Sequence, residues 1–317
     1  MIATKSFVYL CILLVVTAAT PLVYDGRAPF NLTPANLDAS TGPYLTGVKG
    51  ATQNASHYTK LLGRTVPATP LWSTASRFLP VPTEQPLSVS IDNTSIFVPG
   101  SSAPQNGFRR TELLAQINNN HTAFIATEVG TNVYHVSIMQ DPLRPLNFDH
   151  EYQIVFIEPN DGTHVFEIQL GSPFTNPTGK LPAADAHSFK IRDHALNLLF
   201  STPFTPLTWH NFAIQVNFDA RTLGVFYSQN SNTLKPVTKL VSNSAASAGA
   251  AGQGDFHFGV LKLPLVDPAD TPAEQSDVVH FGIQEGKTEA LIYSGVFVEK
   301  VSGGVSAGHG TLIKPIS

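Results

Sequence analysis

Cysteine is almost absent from this 317-residue chain, because the single one is Cys11, near the amino terminus. Residues 1–19 have the pattern of a secretory signal peptide: Lys5 precedes a short apolar run, and small residues follow at 17–19. We therefore expect a mature chain that begins near Thr20 and has no disulfide and no cysteine-ligated metal. This excludes small cysteine-stapled modules, and about 300 remaining residues can bury a large core without disulfides.

Charge is also scarce: charged residues make up 13% of the chain and the formal net charge is −4. A nucleic-acid partner, which needs clustered Lys and Arg, is not expected. No His-x-His pair occurs, which disfavours a metal-dependent cupin, and a mature end at Thr20 lacks the histidine of an oxidative copper enzyme. We expect no metal and no cofactor. Beyond the leader, no apolar run approaches the roughly 20 residues of a membrane span.

Long helical patterns are missing as well, and from residue 87 onward the chain alternates like β-strands. More than about ten strands predict an all-β single-domain jelly roll of two packed antiparallel sheets over residues 20–301. Residues 21–86 should form loops and short edge elements, 242–254 a loop, and 302–317 a loose tail. The predicted strands cover 87–98, 108–117, 123–129, 132–140, 150–158, 163–171, 188–193, 196–202, 209–219, 222–229, 255–263, 278–285 and 289–301.

Four sequons for N-glycosylation accompany the leader, which indicates a secreted, extracellular glycoprotein. Pro34 follows the first sequon closely and makes it the poorest acceptor. The four acceptors are Asn31, Asn54, Asn93 and Asn120.

The segment 107–114, GFRRTELL, contains an unusual polar pair. On a strand, Arg110 and Glu112 share one face with Phe108 and Leu114, because side chains two residues apart point the same way. A charged pair among apolar residues is typical of a wall that binds polar ligands. The alternative is a solvated ion pair on an outer sheet face.

The segment 150–158, HEYQIVFIE, has a second such face. Strict alternation predicts Tyr152, Ile154 and Phe156 in the core, with Glu151 and Gln153 on a polar face. An outer sheet surface is again the alternative.

Three further residues are candidates for binding a substrate. Trp209 is able to stack on a sugar ring, although a tryptophan at a strand start is more often at a core edge. His257 alternates with two phenylalanines and is the better groove histidine, whereas His210 belongs with an apolar set and reads as a core residue. Gln284 lies in the predicted strand 278–285.

Glu112 and Glu151 are the natural pair for glycoside hydrolysis. That reaction needs one carboxyl group to protonate the leaving oxygen and a second to activate water or attack the anomeric carbon. Arg110 favours the charged form of Glu112, and burial opposes it, so the roles of the two glutamates stay open at this point.

Several segments, taken in order, resemble glycoside hydrolase family 131. They are YDGRAPFNLT, GFRRTELL, DPLRPLNFDHEYQIVF, FSTPFTPLTWHNFAI, FHFGVLKLP and IYSGVFVE, and the likeness covers residues 22–299. The family consists of secreted fungal β-glucanases with a jelly-roll fold that act on β-1,3-, β-1,6- and β-1,4-linked glucans. The resemblance implies catalysis by Glu112 and Glu151. The strand patterns add Arg110, Gln153, His257, Gln284 and Trp209 as substrate-binding candidates.

Two other functions remain possible on the sequence alone. A jelly-roll polysaccharide lyase would use Arg110 with His257 or Tyr293, but its groove should be basic, unlike this mildly acidic chain. A non-catalytic glucan-binding or host-interaction protein is the other alternative. We expect a β-glucan polysaccharide or oligosaccharide as partner, no nucleic acid, no membrane after leader cleavage, and a monomer.

Overall fold

The computed structural model describes residues 20–73, 82–100, 102–246 and 254–317. The predicted leader lies outside these residues, as does most of the predicted loop 242–254. In chain order the strands are β1 Leu22–Asp25, β2 Tyr44–Leu45, β3 Thr59–Leu61, β4 Leu87–Ile91, β5 Arg109–Ala115, β6 Thr131–Gln140, β7 Glu151–Glu158, β8 Phe166–Gly171, β9 Ser188–Asp193, β10 Leu198–Pro203, β11 His210–Asn217, β12 Thr222–Gln229, β13 Lys235–Pro236, β14 Val241–Ser242, β15 Asp255–Lys262, β16 Glu289–Lys300, β17 Val305–Gly308 and β18 Thr311–Ile313.

Helices are short. They are α1 Pro34–Asp38, α2 Ala55–Tyr58, α3 His121–Ile125 and α4 Pro272–Ser276, with a 3₁₀ turn at Pro70–Trp72. The described residues between 21 and 86 therefore form short elements, as the sequence predicts. None of the helices in the described residues is long and apolar enough to cross a membrane.

Two antiparallel sheets pack face to face, which confirms the predicted jelly roll. The first sheet has the order β13-β12-β11-β6-β16-β4-β3, with β1 also on β16 and β14 also on β12. The second sheet has the order β10-β9-β8-β7-β15-β5-β2. One apolar face of each sheet meets the other in a core that contains Phe212 and Ile214 from β11 with Phe256 and Phe258 from β15. Alternation then turns the other face of the second sheet away from this core.

Two predicted strands are wrong. Residues 123–129 contain the end of α3, because the Asn120 side chain accepts a hydrogen bond from the Ala123 amide and caps a helix whose Phe124 is buried. Residues 278–285 form a loop with one isolated bridge, Leu265–Ile283. Gly282 has φ +105° there, which interrupts an extended run.

The tail from residue 302 is not loose. Strands β17 and β18 form a hairpin. Val305 and Ala307 are fully buried in a second cluster with Leu71 and Phe226 on the outer face of the first sheet. The Gln215 amide also donates to the Ile316 carbonyl at 2.9 Å. The sequence prediction failed because alternate small and apolar residues in a short hairpin give a weak pattern.

Candidate functional site

The outward face of the second sheet carries a band of polar side chains, called here the polar face. Register places Arg110, Leu261 and Gln153 in one row across β5, β15 and β7, and Gly259 lies opposite Glu112. The row continues from Gln153 to Gln169 on β8 and Lys190 on β9. Five adjacent strands thus contribute to one polar surface.

Glu112 is an ionised carboxylate at one end of this face. Arg110 donates to both of its oxygens at 2.7 Å, from Nε and Nη2. His257 Nδ1 donates to its Oε2 at 2.6 Å. Burial of Glu112, which is 1% exposed, opposes ionisation, but the neighbouring Arg110 and His257 outweigh it and lower the pKa to about 2. The Arg110–Glu112 pair is therefore buried and bidentate, not a solvated surface pair.

His257 is held by this carboxylate. With Nδ1 bound to Glu112, its Nε2 has no hydrogen-bond partner among the described residues. The Glu158 carboxylate lies 3.8 Å from that nitrogen. Because Glu112 takes the hydrogen bond at Nδ1, Nε2 is the ring nitrogen left to meet water or substrate, and it is able to accept a proton when the ring is neutral.

Glu151 has a different environment at the start of β7. Its Oε1 accepts from the side-chain amides of Gln153 at 3.0 Å and Gln169 at 3.1 Å, and its Oε2 accepts from the Phe174 amide at 2.8 Å. Burial raises the pKa of Glu151, and these donors only partly offset it. Glu151 is thus inclined to keep its proton, while Glu112 is not.

The two glutamates lie two strands apart on the same face. Neighbouring strands are about 4.8 Å apart, so the backbones are separated by about 10 Å across the sheet. Leu263, whose amide bonds the Glu151 carbonyl, lies four positions beyond Gly259, so the separation along the strands adds to this. Each carboxyl group is held by partners of its own.

A β-bulge corrects one prediction in β7. The register shifts between Gln153 and Val155 against β8, and between Phe258 and Leu261 against β15. Val155 consequently joins the core, and Phe156 turns to the polar face. There its ring is stacked between His164, at a centroid distance of 4.1 Å, and His257, at 4.7 Å. Strict alternation could not show this, because a bulge reverses the facing of every later residue.

A known family model matches most of this chain. The model described as the glycoside hydrolase 131 catalytic N-terminal domain matches residues 22–304. The chain belongs to glycoside hydrolase family 131. It is therefore a glycoside hydrolase, and the resemblance seen in the sequence is confirmed.

Solved structures from the same family share the fold. The catalytic domain of a glycoside hydrolase family 131 protein from Coprinopsis cinerea is 25% identical, covering 92% of this chain and 99% of that one, with a TM-score of 0.64. A family 131 β-glucanase catalytic domain from Podospora anserina is 24% identical with the same coverages and a TM-score of 0.62. A comparison with curated proteins found no match.

Some predicted site residues of this family 131 enzyme do not join the polar face. Trp209 precedes β11 in the first sheet and is 5% exposed, so it is a buried edge residue on the other side of the sandwich. Gln284 lies in a loop, and its amide donates to the carbonyls of Gly107 and Lys262, which holds that loop in place. Arg110, Glu112, Glu151, Gln153 and His257 do share the face, as predicted.

Sequence reasoning missed three polar-face residues, Glu167, Gln169 and Arg192. Glu167 and Gln169 lie on β8, opposite Phe156 and Gln153, and Arg192 lies on β9 opposite Glu167. A signal was present, since Glu167 and Gln169 alternate with Phe166, Ile168 and Leu170. The same alternation of polar and apolar residues along a strand is what indicated Glu151 and Gln153.

The remaining groups on this enzyme add little to the site. No group of three or more His, Cys, Asp or Glu side chains in the described ranges is arranged to hold a metal ion. All four sequon asparagines are exposed, so each acceptor nitrogen is accessible. His210 is fully buried, and burial lowers its pKa to about 4, as expected for a core histidine.

Proposed function

We propose that this family 131 enzyme is a secreted β-glucanase in which Glu151 is the general acid and Glu112, with His257, is the base. The observation that carries the proposal is the pair of glutamates on one face whose environments shift their pKa values in opposite directions. A glycosidase acid must hold a proton that the base lacks, and separate environments achieve this.

The chemistry follows from those states. Glu151 gives its proton to the glycosidic oxygen as the bond from that oxygen to the anomeric carbon breaks. A water oxygen forms a new bond to the same carbon, and the Glu112–His257 pair accepts the water proton. Arg110 keeps Glu112 ionised throughout. Gln153, half-buried between the two glutamates, is placed to contact a sugar hydroxyl.

The separation of the two glutamate backbones, about 10 Å across the sheet with a further offset along the strands, argues against retention at the anomeric carbon. Retention needs the two groups about 5–5.5 Å apart, and inversion leaves room for a water at about 6.5–9.5 Å. Glu112 and Glu151 lie two strands apart, and their own partners hold them back from each other. Proton NMR of the first product formed should therefore show the α-anomer, and an initial β-anomer would contradict this assignment.

The substrate is proposed from the family and from the Podospora relative, whose structure is of a β-glucanase. We propose β-1,3-, β-1,6- and β-1,4-linked glucans of fungal walls or plant biomass as the substrates. Extracellular location follows from the predicted leader and the four exposed sequons. We further propose a monomer that binds neither nucleic acid nor, once the leader is removed, a membrane.

The lyase alternative loses its proposed groups. The Tyr293 side chain is fully buried in the core, where its hydroxyl donates to the Gly259 carbonyl. Arg110 is already neutralised by Glu112 and is not free to pair with a uronate. A non-catalytic role gains no support, because both glutamates and their partners are in place.

The test is the release of reducing sugar from laminarin and from a mixed-linkage β-glucan. Glu112→Gln and Glu151→Gln should each lower the rate by at least about 100-fold, the scale of a lost acid or base. Glu274→Gln is the matched control, because Gln is equally accepted at the third position of α4 and the Glu274 carboxylate bonds Thr271, not a polar-face residue. Wild-type rates in both site variants would disprove the assignment, as would unsaturated products from polyuronates with none from glucans.

A further inference from the structure

Gln169 stands between three charged residues on the polar face. Its Nε2 donates to Glu151 Oε1 at 3.1 Å and also to Glu167 Oε1. Its Oε1 accepts from Arg192 Nε at 2.7 Å. One amide thus connects Glu151 with a second carboxylate and with a guanidinium.

The orientation of this amide is determined by its partners. Both of its donors face carboxylate oxygens, and its acceptor faces an N–H of Arg192, so a flipped amide would place oxygen against oxygen. Gln169 is 4% exposed, and its strand β8 is paired with β7 on one side and β9 on the other. The network is fully paired, and such networks fix side-chain positions closely.

Glu167 is the unusual member of the network. It is 1% exposed, and its other oxygen accepts from His164 Nδ1 at 2.8 Å. An acidic side chain buried next to a proposed acid opposes the ionisation of that acid, because two like charges repel at low dielectric. Arg192, which is half-buried and bonded to the Leu196 carbonyl, acts in the opposite direction.

Other charged groups also face Glu151. Lys190 on β9 lies on the same face, with its Nζ bonded to the Gly171 carbonyl and 3.7 Å from Asp185. Asp149 lines the small cavity beside Glu151 together with the loop 172–181. The Arg110–Glu112 pair lies two strands away. Among these groups, only Glu167 and Arg192 reach Glu151 through a shared hydrogen-bonding side chain.

We propose that Glu167 and Arg192 are positioning residues that act through Gln169 and set the proton affinity of Glu151. Glu167 favours the protonated form of Glu151, and Arg192 favours its ionised form. The inference rests on the proposed function, in which Glu151 is the acid. It adds residues of β8 and β9 that need not touch the substrate. Burial and the like charge of Glu167 both raise the pKa of Glu151, and Arg192 lowers it, in agreement with the geometry.

Two substitutions should then move the alkaline limb of the pH profile of kcat/KM in opposite directions. Glu167→Gln removes the repelling charge, so Glu151 ionises more readily and the limb moves to lower pH by about one unit. Arg192→Gln removes the attracting charge, so the limb moves to higher pH by a similar amount. Asp219→Asn, an exposed charge change at the turn between β11 and β12, is the matched control and should leave the limb in place.

A purely structural role would not give these opposite signs. Loss of packing alone lowers kcat at every pH, whereas the proposal requires rates near the acidic optimum within about threefold of wild type. If Glu167→Gln does not fold, the half-buried Arg192→Gln still tests the proposal, and the melting temperature of each variant shows whether it folded. Limbs that stay in place, or that both move the same way, would overturn the inference.

Direct titration separates this inference from the proposed function. Carbon-13 NMR of glutamate carboxyl groups, with Glu151→Gln identifying the Glu151 signal, measures the ionisation without any turnover. Opposite shifts of that signal in the two variants would support the coupling even if the wild type hydrolysed no glucan, which would reject only the proposed function. Glucan hydrolysis by the wild type with an unshifted Glu151 signal in both variants would reject the coupling alone.

Discussion

Two buried glutamate–histidine pairs lie on opposite sides of this molecule. Glu112 and His257 lie on the polar face of the second sheet, and Glu299 and His135 lie on the outer face of the first sheet. Both glutamates are 1% exposed, and in both the pKa is lowered to about 2. In each pair one ring nitrogen of the histidine has no partner among the described residues. The local chemistry of the pairs is thus nearly the same.

Glu151, the second carboxyl group of the polar face, also has a counterpart on the outer face of the first sheet. Glu84 accepts from the amide of Gly295, four positions before Glu299 on β16, and burial raises its pKa to about 7. The outer face differs in what covers it. Ser306 of the carboxyl-terminal hairpin donates to Glu299 from its amide and hydroxyl at 2.7 Å, and the Trp72, His135 and Phe297 rings pack together beside it. Opposite pKa shifts of two buried glutamates therefore do not identify a site unless the face that carries them can receive a substrate.

Loss of Arg110 should have the largest effect, and only at the first pair. Arg110→Ala leaves a buried carboxylate without its bidentate partner, so the pKa of Glu112 rises and glucan hydrolysis falls by at least about 100-fold. Breaking a buried pair by removing one partner also costs about 3–5 kcal/mol of unfolding free energy. Hydrolysis assays and urea unfolding measure both. Arg64→Ala, an exposed arginine over Phe30, is the control and should change neither by much.

The pH dependence of kcat/KM should separate Glu112 from Glu151 on the polar face. Glu112 must be ionised, which its pKa of about 2 allows in all but strongly acidic solution, and Glu151 must be protonated, so activity falls tenfold per pH unit above its raised pKa. Activity should therefore be lost in alkaline solution. An activity that still rises above about pH 9 would contradict the acid role of Glu151, because that exceeds the range of buried glutamates.

Glu299→Gln tests the comparison from the other side. The folded-state pKa of Glu299 is depressed, so its ionised carboxylate stabilises the fold at every pH above the ordinary glutamate pKa. This contribution to the free energy of unfolding is lost as the pH falls towards about 2. The variant should lose about 1–3 kcal/mol at pH 7, and the difference from wild type should shrink at low pH. Its kcat/KM should stay within about twofold, since Glu299 lies on the outer face of the other sheet. A loss comparable with Glu112→Gln would show that the outer face takes part in catalysis.

Much of this arrangement is readable from the sequence, and the exceptions have physical causes. Glu112 and Arg110 were placed correctly because β5 alternates without interruption. Phe156 was misplaced because the bulge after Gln153 depends on the partner strands and leaves no local mark. The protonation states of Glu112 and Glu151 needed their cross-strand partners, His257 and Gln169, which come from distant parts of the chain.

The smallest expected effect concerns the hairpin that covers the outer face. Val305 is fully buried against that face, so Val305→Ala should cost about 1.5 kcal/mol for two lost methyl groups, with no change in glucan hydrolysis. Val237→Ala is the matched control, because Val237 is 37% exposed and should lose much less. Urea unfolding with an unchanged m-value would measure the difference. Equal stabilities of the two variants would mean that the tail is loose after all, and that Glu299 and His135 are less protected than the comparison requires.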